Sequence, residues 1–201
     1  MPPSSYGIFQ NGAKMWKMER IEKGNERQLA PLLKCVRRVE ASSPDAFPKP
    51  NGEKEVEEAL KEGRALLLLS GSRVLAFLTY SFDVGAYFFP EEKGRASKSF
   101  DLLDEAGIKE ERAILIERIG VDPMVRGKGM GAILLRAFLA KMGRSSYLAP
   151  VPKENREALE FFYHHGFFAK GDEGSWEFKG KKPSLLMVKL LKREGLASLS
   201  F

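Results

Sequence analysis

The chain predicts an α/β layer structure built on a mixed sheet. Three observations carry that reading. The first half holds an apolar strand hairpin, the second half alternates strands with amphipathic helices, and no internal repeat interrupts the order. A length of 201 residues with 43% hydrophobic and 30% charged content is material for one sizeable core. Residues 14–201 are therefore read as a single domain behind a flexible arm, residues 1–13, rich in Pro, Ser and Gly.

Lys14 to Ile21 reads as a short strand with Trp16 and Met18 on one side. From Asn25 to about Glu40 the apolar residues Leu29, Leu32, Leu33, Val36 and Val39 recur at helical spacing, and Pro44 and Pro48 stop the pattern. Glu53 to Lys61 is a second, shorter helix. "RALLLLSGSRVLAFLTYSF" is a hairpin around the turn Ser70 to Arg73. Residues 83–111 show no clean periodicity, although "SKSFDLLDEAG" can supply one helix. "RAILIERIGV" is a strand ending at Asp122 and Pro123, and "VRGKGMGAILLRAFLAKM" runs on into a helix. "SSYLAPV" is a strand, "PKENREALEFFYHHG" a helix, and "GFFAK" and "SLLMVKLL" are closing strands.

Composition narrows the function classes. One cysteine, Cys35, cannot form an internal disulfide, and no CxxC or Cys/His grouping offers a metal site, so no metal and a cytoplasmic location are expected. "ALLLLSGSRVLAFLTY" is broken by polar residues long before a bilayer is spanned, so no membrane partner is expected. A net charge of +6 suits a polyanion, either nucleic acid or a phosphate-rich cofactor. Nucleic acid ranks below the cofactor, because no recognition motif accompanies the charge.

The residues Gly127, Gly129 and Gly131 stand between a strand and a helix, interleaved with Arg126 and Lys128. Backbone N–H groups of a first helical turn point one way and the helix dipole adds positive potential there. Glycines let an anion approach those donors, so the stretch reads as a phosphate cradle. GxxxxGK[ST] is absent, which removes a Walker loop. "GKGMGA" meets the dinucleotide pattern only loosely, since "DPMVR" separates it from the strand and no acidic residue follows at the required distance.

"IGVDPMVRGKGMG" resembles the cofactor segment of the GNAT superfamily of N-acetyltransferases, with Arg126, Gly129 and Gly131 at its signature positions. "NREALEFFYHHGF" resembles the second motif of that family, with Asn155, Ala158, Phe161, Gly166 and Phe167 in register. The resemblance covers roughly residues 112–169. It implies a splayed sheet of about six to seven strands flanked by helices on both faces. It also implies acetyl-CoA as cosubstrate, held by the backbone of Ile119, Gly120 and Val121, by the loop Arg126, Gly127, Lys128, Gly129, Met130 and Gly131, and by Asn155 and Phe162. The implied reaction moves acetyl to a primary amine by direct attack in a ternary complex, and the amine acceptor, small molecule or protein, is not encoded in any motif.

Glu117 is the candidate general base, because a carboxylate in a partly desolvated cleft becomes more basic. The alternative for Glu117 is an ion pair with a neighbouring Arg or Lys. Many family members carry a tyrosine where this chain has Phe162; Tyr163 stands one place on, rotated by about 100° on a helix. Tyr163 is thus a candidate acid or a surface residue, and His164 and His165, adjacent on the helix, do not face together. The displaced tyrosine also supports a second reading, a non-catalytic module that only holds coenzyme A. Residues 83–111 form a longer link than the family usually has, suited to capping the acceptor site or to contact in a homodimer.

Overall fold

The computed structural model describes residues 20–23, 25–43, 52–84, 108, 112–143, 146–170 and 184–190. The N-terminal arm, residues 14–19 of the expected first strand and the helix expected in 83–111 lie outside the described residues.

Seven strands form one sheet in the order β1-β2-β3-β4-β5-β7-β6. The strands are β1 (Arg20–Lys23), β2 (Ala65–Ser70), β3 (Arg73–Ser81), β4 (Ala113–Val121), β5 (Ser146–Pro152), β6 (Phe168–Lys170) and β7 (Ser184–Leu190). Among the described residues β1 overlaps the expected strand at Arg20 and Ile21 and runs on to Lys23. The hairpin closes as expected, with Ser70 paired to Arg73. Every neighbouring pair is antiparallel except β4 and β5, which are parallel.

Helices cover both faces, as expected. Four are described: α1 (Leu29–Ser42), α2 (Gly52–Lys61), α3 (Met130–Met142) and α4 (Arg156–His164). Asn25 opens a short 3-10 turn ahead of α1 through a reciprocal box, its Oδ1 accepting from the Arg27 amide at 3.0 Å and its own amide donating to Gln28 Oε1 at 3.1 Å. Alternation along the strands sorts the core into layers. Leu66, Leu68, Leu78, Ile114 and Ile116 meet Leu134, Leu135 and Phe138 of α3 and Phe162 of α4 on one side. Leu67, Leu69 and Phe77 meet Leu32, Cys35 and Val36 of α1 and Val56 and Leu60 of α2 on the other.

Two irregularities position the site. Between β3 and β4 the register slips after the Thr79 and Arg118 pair, leaving Glu117 as the extra residue of a β-bulge on β4. Between β4 and β5 the ladder has only three pairs and ends at Leu115 with Leu148. Two residues further on stands Pro150, then Pro152, neither of which has the N–H that a continuing ladder needs. The strands therefore part, while β5 stays bound to β7 through Pro152.

Candidate active site

A cleft of about 640 Å³ lies where β4 and β5 separate. Ile119, Gly120 and Val121 of β4 line it, and each is paired on its far edge with β3. Gly120 lets the strand run flat beneath its neighbour: a methyl there would stand 2.5 Å from the Phe77 ring. One end of the cleft is the loop from Val125 through Gly129 with the first turn of α3, Met130, Gly131 and Ala132. Glu154 to Ala158 and Phe161, at the start of α4, form the opposite wall. Val39 and Ser43 of the α1 end complete it.

The glycines do different work. Gly127 and Gly129 have φ of +71° and +74°, a left-handed conformation costly for any residue with a Cβ, and open space surrounds both. Gly131 has an ordinary helical position but no room: a methyl would come within 3.2 Å of Val121 Cγ2 and 3.4 Å of Phe161 Cε2. Gly129 supplies no side-chain cap, and the Ile133 amide donates to its carbonyl at 3.0 Å as the first bond of the helix ladder. The amides of Met130, Gly131 and Ala132 thus precede any possible i−4 partner within the helix and face the cleft end. A diphosphate fits this end: it needs close backbone approach, donors and positive charge, and all three are present.

Asn155 caps α4, its Oδ1 accepting from the Ala158 amide at 3.1 Å, which leaves its NH₂ group to donate into the cleft. Arg126 donates from Nη1 to Ser43 Oγ at 2.9 Å and, longer, from Nε to the Val121 carbonyl at 3.4 Å. Lys128 is exposed and is not among the lining residues.

Phe162 is not among the residues that line the cleft. It is 3% exposed and packs against Phe167 with ring centroids 4.9 Å apart, in the core rather than in the cleft wall. Phe161 lines the cleft with Ala158 and the N-cap Asn155, whereas Phe162, about 100° further round α4 than Phe161, enters the core. Tyr163, a further step round, is 50% exposed on the outside and does not line the cleft. His164 is exposed, while His165 lies against Phe161 with Nδ1 2.7 Å from that residue's carbonyl oxygen, a helix-end contact.

Glu117 sits two residues beyond the last β4–β5 pair and two before the first lining residue of the cleft. Glu117 makes an ion pair: Arg64 Nη1 is 3.0 Å from Glu117 Oε2 and 2.7 Å from the Tyr80 carbonyl, and Arg64 Nε contacts Glu62 at 2.6 Å. Arg118, next on the strand, is 4% exposed and is held by Glu55 at 2.6 Å. Asp122 is fully buried under the turn Pro123–Val125, accepting from Arg38, Arg73 and the Met124 amide. Burial pushes its carboxyl up, but these hydrogen bonds outweigh it and hold it below the ordinary value. Cys35 is buried and its thiol is pushed up to about 12, so it is neutral and unreactive near neutrality.

A family model described as "Acetyltransferase (GNAT) family" matches residues 36–167. The chain belongs to that family. The expected class, a GNAT-type acetyltransferase, stands with it. Solved GNAT structures share the fold at low identity. The ribosomal-protein-S18-alanine N-acetyltransferase of Escherichia coli is 16% identical with a TM-score of 0.59, over 89% of this chain and 97% of that one. A ribosomal-protein-alanine N-acetyltransferase of Brucella melitensis is 18% identical with a TM-score of 0.58, over 86% and 100%. The PaiA N-acetyltransferase of Thermoplasma acidophilum, solved in complex with coenzyme A, is 14% identical with a TM-score of 0.56, over 86% and 98%. No curated protein sequence matches the chain significantly. Among the described residues of this GNAT chain, no helix is long and apolar enough to cross a membrane, and no group of three His, Cys, Asp or Glu could hold a metal.

Proposed function

We propose that this GNAT chain transfers an acetyl group from acetyl-CoA to a primary amine by direct attack in a ternary complex. The observation that carries the reading is the parting of β4 from β5 after Leu115 and Leu148, which opens a cleft ending on the first turn of α3. An amide-bearing chain laid along β4 can meet the backbone groups that β5 no longer satisfies, at Ile119 and Val121. Its diphosphate then reaches Arg126 and the amides of Gly127, Lys128, Gly129, Met130 and Gly131. Asn155 donates to it from the α4 side.

Bound there, acetyl-CoA supplies a thioester whose carbon accepts the amine nitrogen as the carbon–sulfur bond breaks. Glu117 receives the proton that the ammonium must lose, its Oε2 held by Arg64 and its place set by the bulge. Cys35 takes no part, since direct attack needs no acyl-enzyme and its thiol is buried and neutral. Tyr163, on the outer side of α4, is left out of the proposed chemistry.

The test is thiol release from acetyl-CoA over a panel of amines and peptides, with calorimetry of coenzyme A binding alongside. Glu117→Gln should lower kcat by about 10²-fold or more while coenzyme A affinity stays within about twofold. Gly129→Glu should abolish binding. Tight binding without thiol release for any acceptor would make the chain a coenzyme A binding module, and no heat with coenzyme A would end both readings.

A further inference from the structure

The cleft has a wall that no sequence motif announces. α1 packs mainly on the opposite face of the sheet, through Leu32, Cys35 and Val36, yet its last turn emerges at the cofactor cleft. There Ser43 Oγ accepts a hydrogen bond from Arg126 Nη1 at 2.9 Å.

We propose that Ser43 is a ligand for the cofactor's diphosphate, acting jointly with Arg126. The inference rests on the acetyl-CoA reading above and adds to it a residue from outside both family motifs.

A hydroxyl carries one proton and two lone pairs. With one lone pair engaged by a guanidinium, the Ser43 proton is free to turn to a second acceptor. The cation polarises the O–H bond, which makes the hydroxyl a stronger donor than an isolated serine. An anion beside Arg126 is therefore the acceptor this pair is built for. Among the described residues, the Ser43 hydroxyl is hydrogen-bonded by Arg126 alone.

Position supports the same assignment. Arg38, little more than a turn earlier on α1, is bound to Asp122 at 2.8 Å, and Asp122 caps the turn that leads into Arg126. Ser43 and Arg126 thus hang from one buried anchor, so their spacing is fixed before a ligand arrives. The Ser43 amide is also satisfied, donating to the Val39 carbonyl at 3.1 Å, and the residue can lose its hydroxyl without loosening the helix end. Among the described lining residues the two glutamates, Glu154 and Glu157, stand on the α4 wall beside Arg156, and the side that carries Ser43 and Arg126 holds no carboxylate.

The experiment compares wild type, Ser43→Ala and Ser43→Thr with three probes: coenzyme A, pantetheine without its diphosphate, and inorganic pyrophosphate. Ser43→Ala should weaken coenzyme A and pyrophosphate by about tenfold. Pantetheine should bind all three chains alike, and Ser43→Thr should keep the wild-type affinities. Unchanged coenzyme A affinity in Ser43→Ala, or an equal loss for pantetheine, overturns the assignment. If wild type binds pyrophosphate through Ser43 but not coenzyme A, the anion site stands and the acetyl-CoA reading falls; if it binds neither, both fall.

Discussion

Asp122 binds Arg38 at 2.8 Å across 84 residues of sequence, and its same oxygen takes Arg73 at 2.8 Å. One buried carboxylate thus ties the end of β4 to α1 and to the β2–β3 hairpin. Removing its charge leaves two arginines facing a neutral amide, so Asp122→Asn should cost about 3–5 kcal/mol at neutral pH. The carboxyl is held below its ordinary value of 3.8, so its contribution is present above that value and is lost as pH falls through the lower folded-state value. Urea unfolding should therefore show a wide gap between wild type and Asp122→Asn near neutrality that narrows on strong acidification. A gap of constant width would show that the ion pairs contribute nothing.

Glycine substitutions should separate into three kinds. Gly127→Ala and Gly129→Ala meet no neighbour but force a left-handed φ, costing roughly 1–2 kcal/mol each. Gly120→Ala places a methyl 2.5 Å from the buried Phe77 ring and should cost about 1–3 kcal/mol of overpacking. Gly131→Ala presses on Val121 and Phe161, both of which line the cleft, so it should cost coenzyme A affinity out of proportion to stability. Chemical unfolding and calorimetry on all four chains check the ordering.

The glycine-rich link between strand and helix was legible, because Gly127, Gly129 and Gly131 announce a backbone requirement locally and the apolar periods place it between β4 and α3. The far wall was legible too, since Asn155 caps the helix on which Ala158 and Phe161 line the cleft. Missed were contacts made across long separations. Ser43 and Val39 join the cleft from a helix whose apolar stripe speaks only of the opposite face, and Arg64 reaches Glu117 from 53 residues away. The splay between β4 and β5 had a local signal that went unread: Pro150 and Pro152 in an apolar strand mark where pairing must stop. Which of the two adjacent phenylalanines faces the cleft was not legible in the sequence: Phe161 lines it and Phe162 is buried in the core.

Alkaline stability should follow two buried acids. Desolvation raises the Cys35 thiol from 9.0 to about 12 and the Tyr147 phenol from 10.0 to about 12. Both folded values lie above the unfolded ones, so the stability they contribute is present below about pH 9 and is lost as pH rises toward 12. Cys35→Ala removes one of the two. Its unfolding free energy should fall less steeply than that of wild type between about pH 8 and 10. Equal slopes would mean that the thiol ionises in the folded chain.

Phe162 and Tyr163 offer a direct test of where the leaving thiolate finds a proton. Phe162 is packed between Phe161 and Phe167, with ring centroids 5.4 and 4.9 Å away, and has no polar group among those ring neighbours. Phe162→Tyr places a tyrosine where the family resemblance implies one, yet it buries a hydroxyl among apolar rings at a cost of about 1–3 kcal/mol. Unless the helix rolls, that hydroxyl cannot reach the cleft, so thiol release should not rise. Tyr163→Phe removes a hydroxyl from a side chain that is half exposed on the outer surface, and kcat should stay within about twofold. Stopped-flow release of thiol, measured in single turnover so that chemistry is not masked by product loss, decides both cases. A tenfold drop in Tyr163→Phe would require α4 to turn by about two residues when the cofactor binds, since residue 163 stands two steps of about 100° round from Phe161.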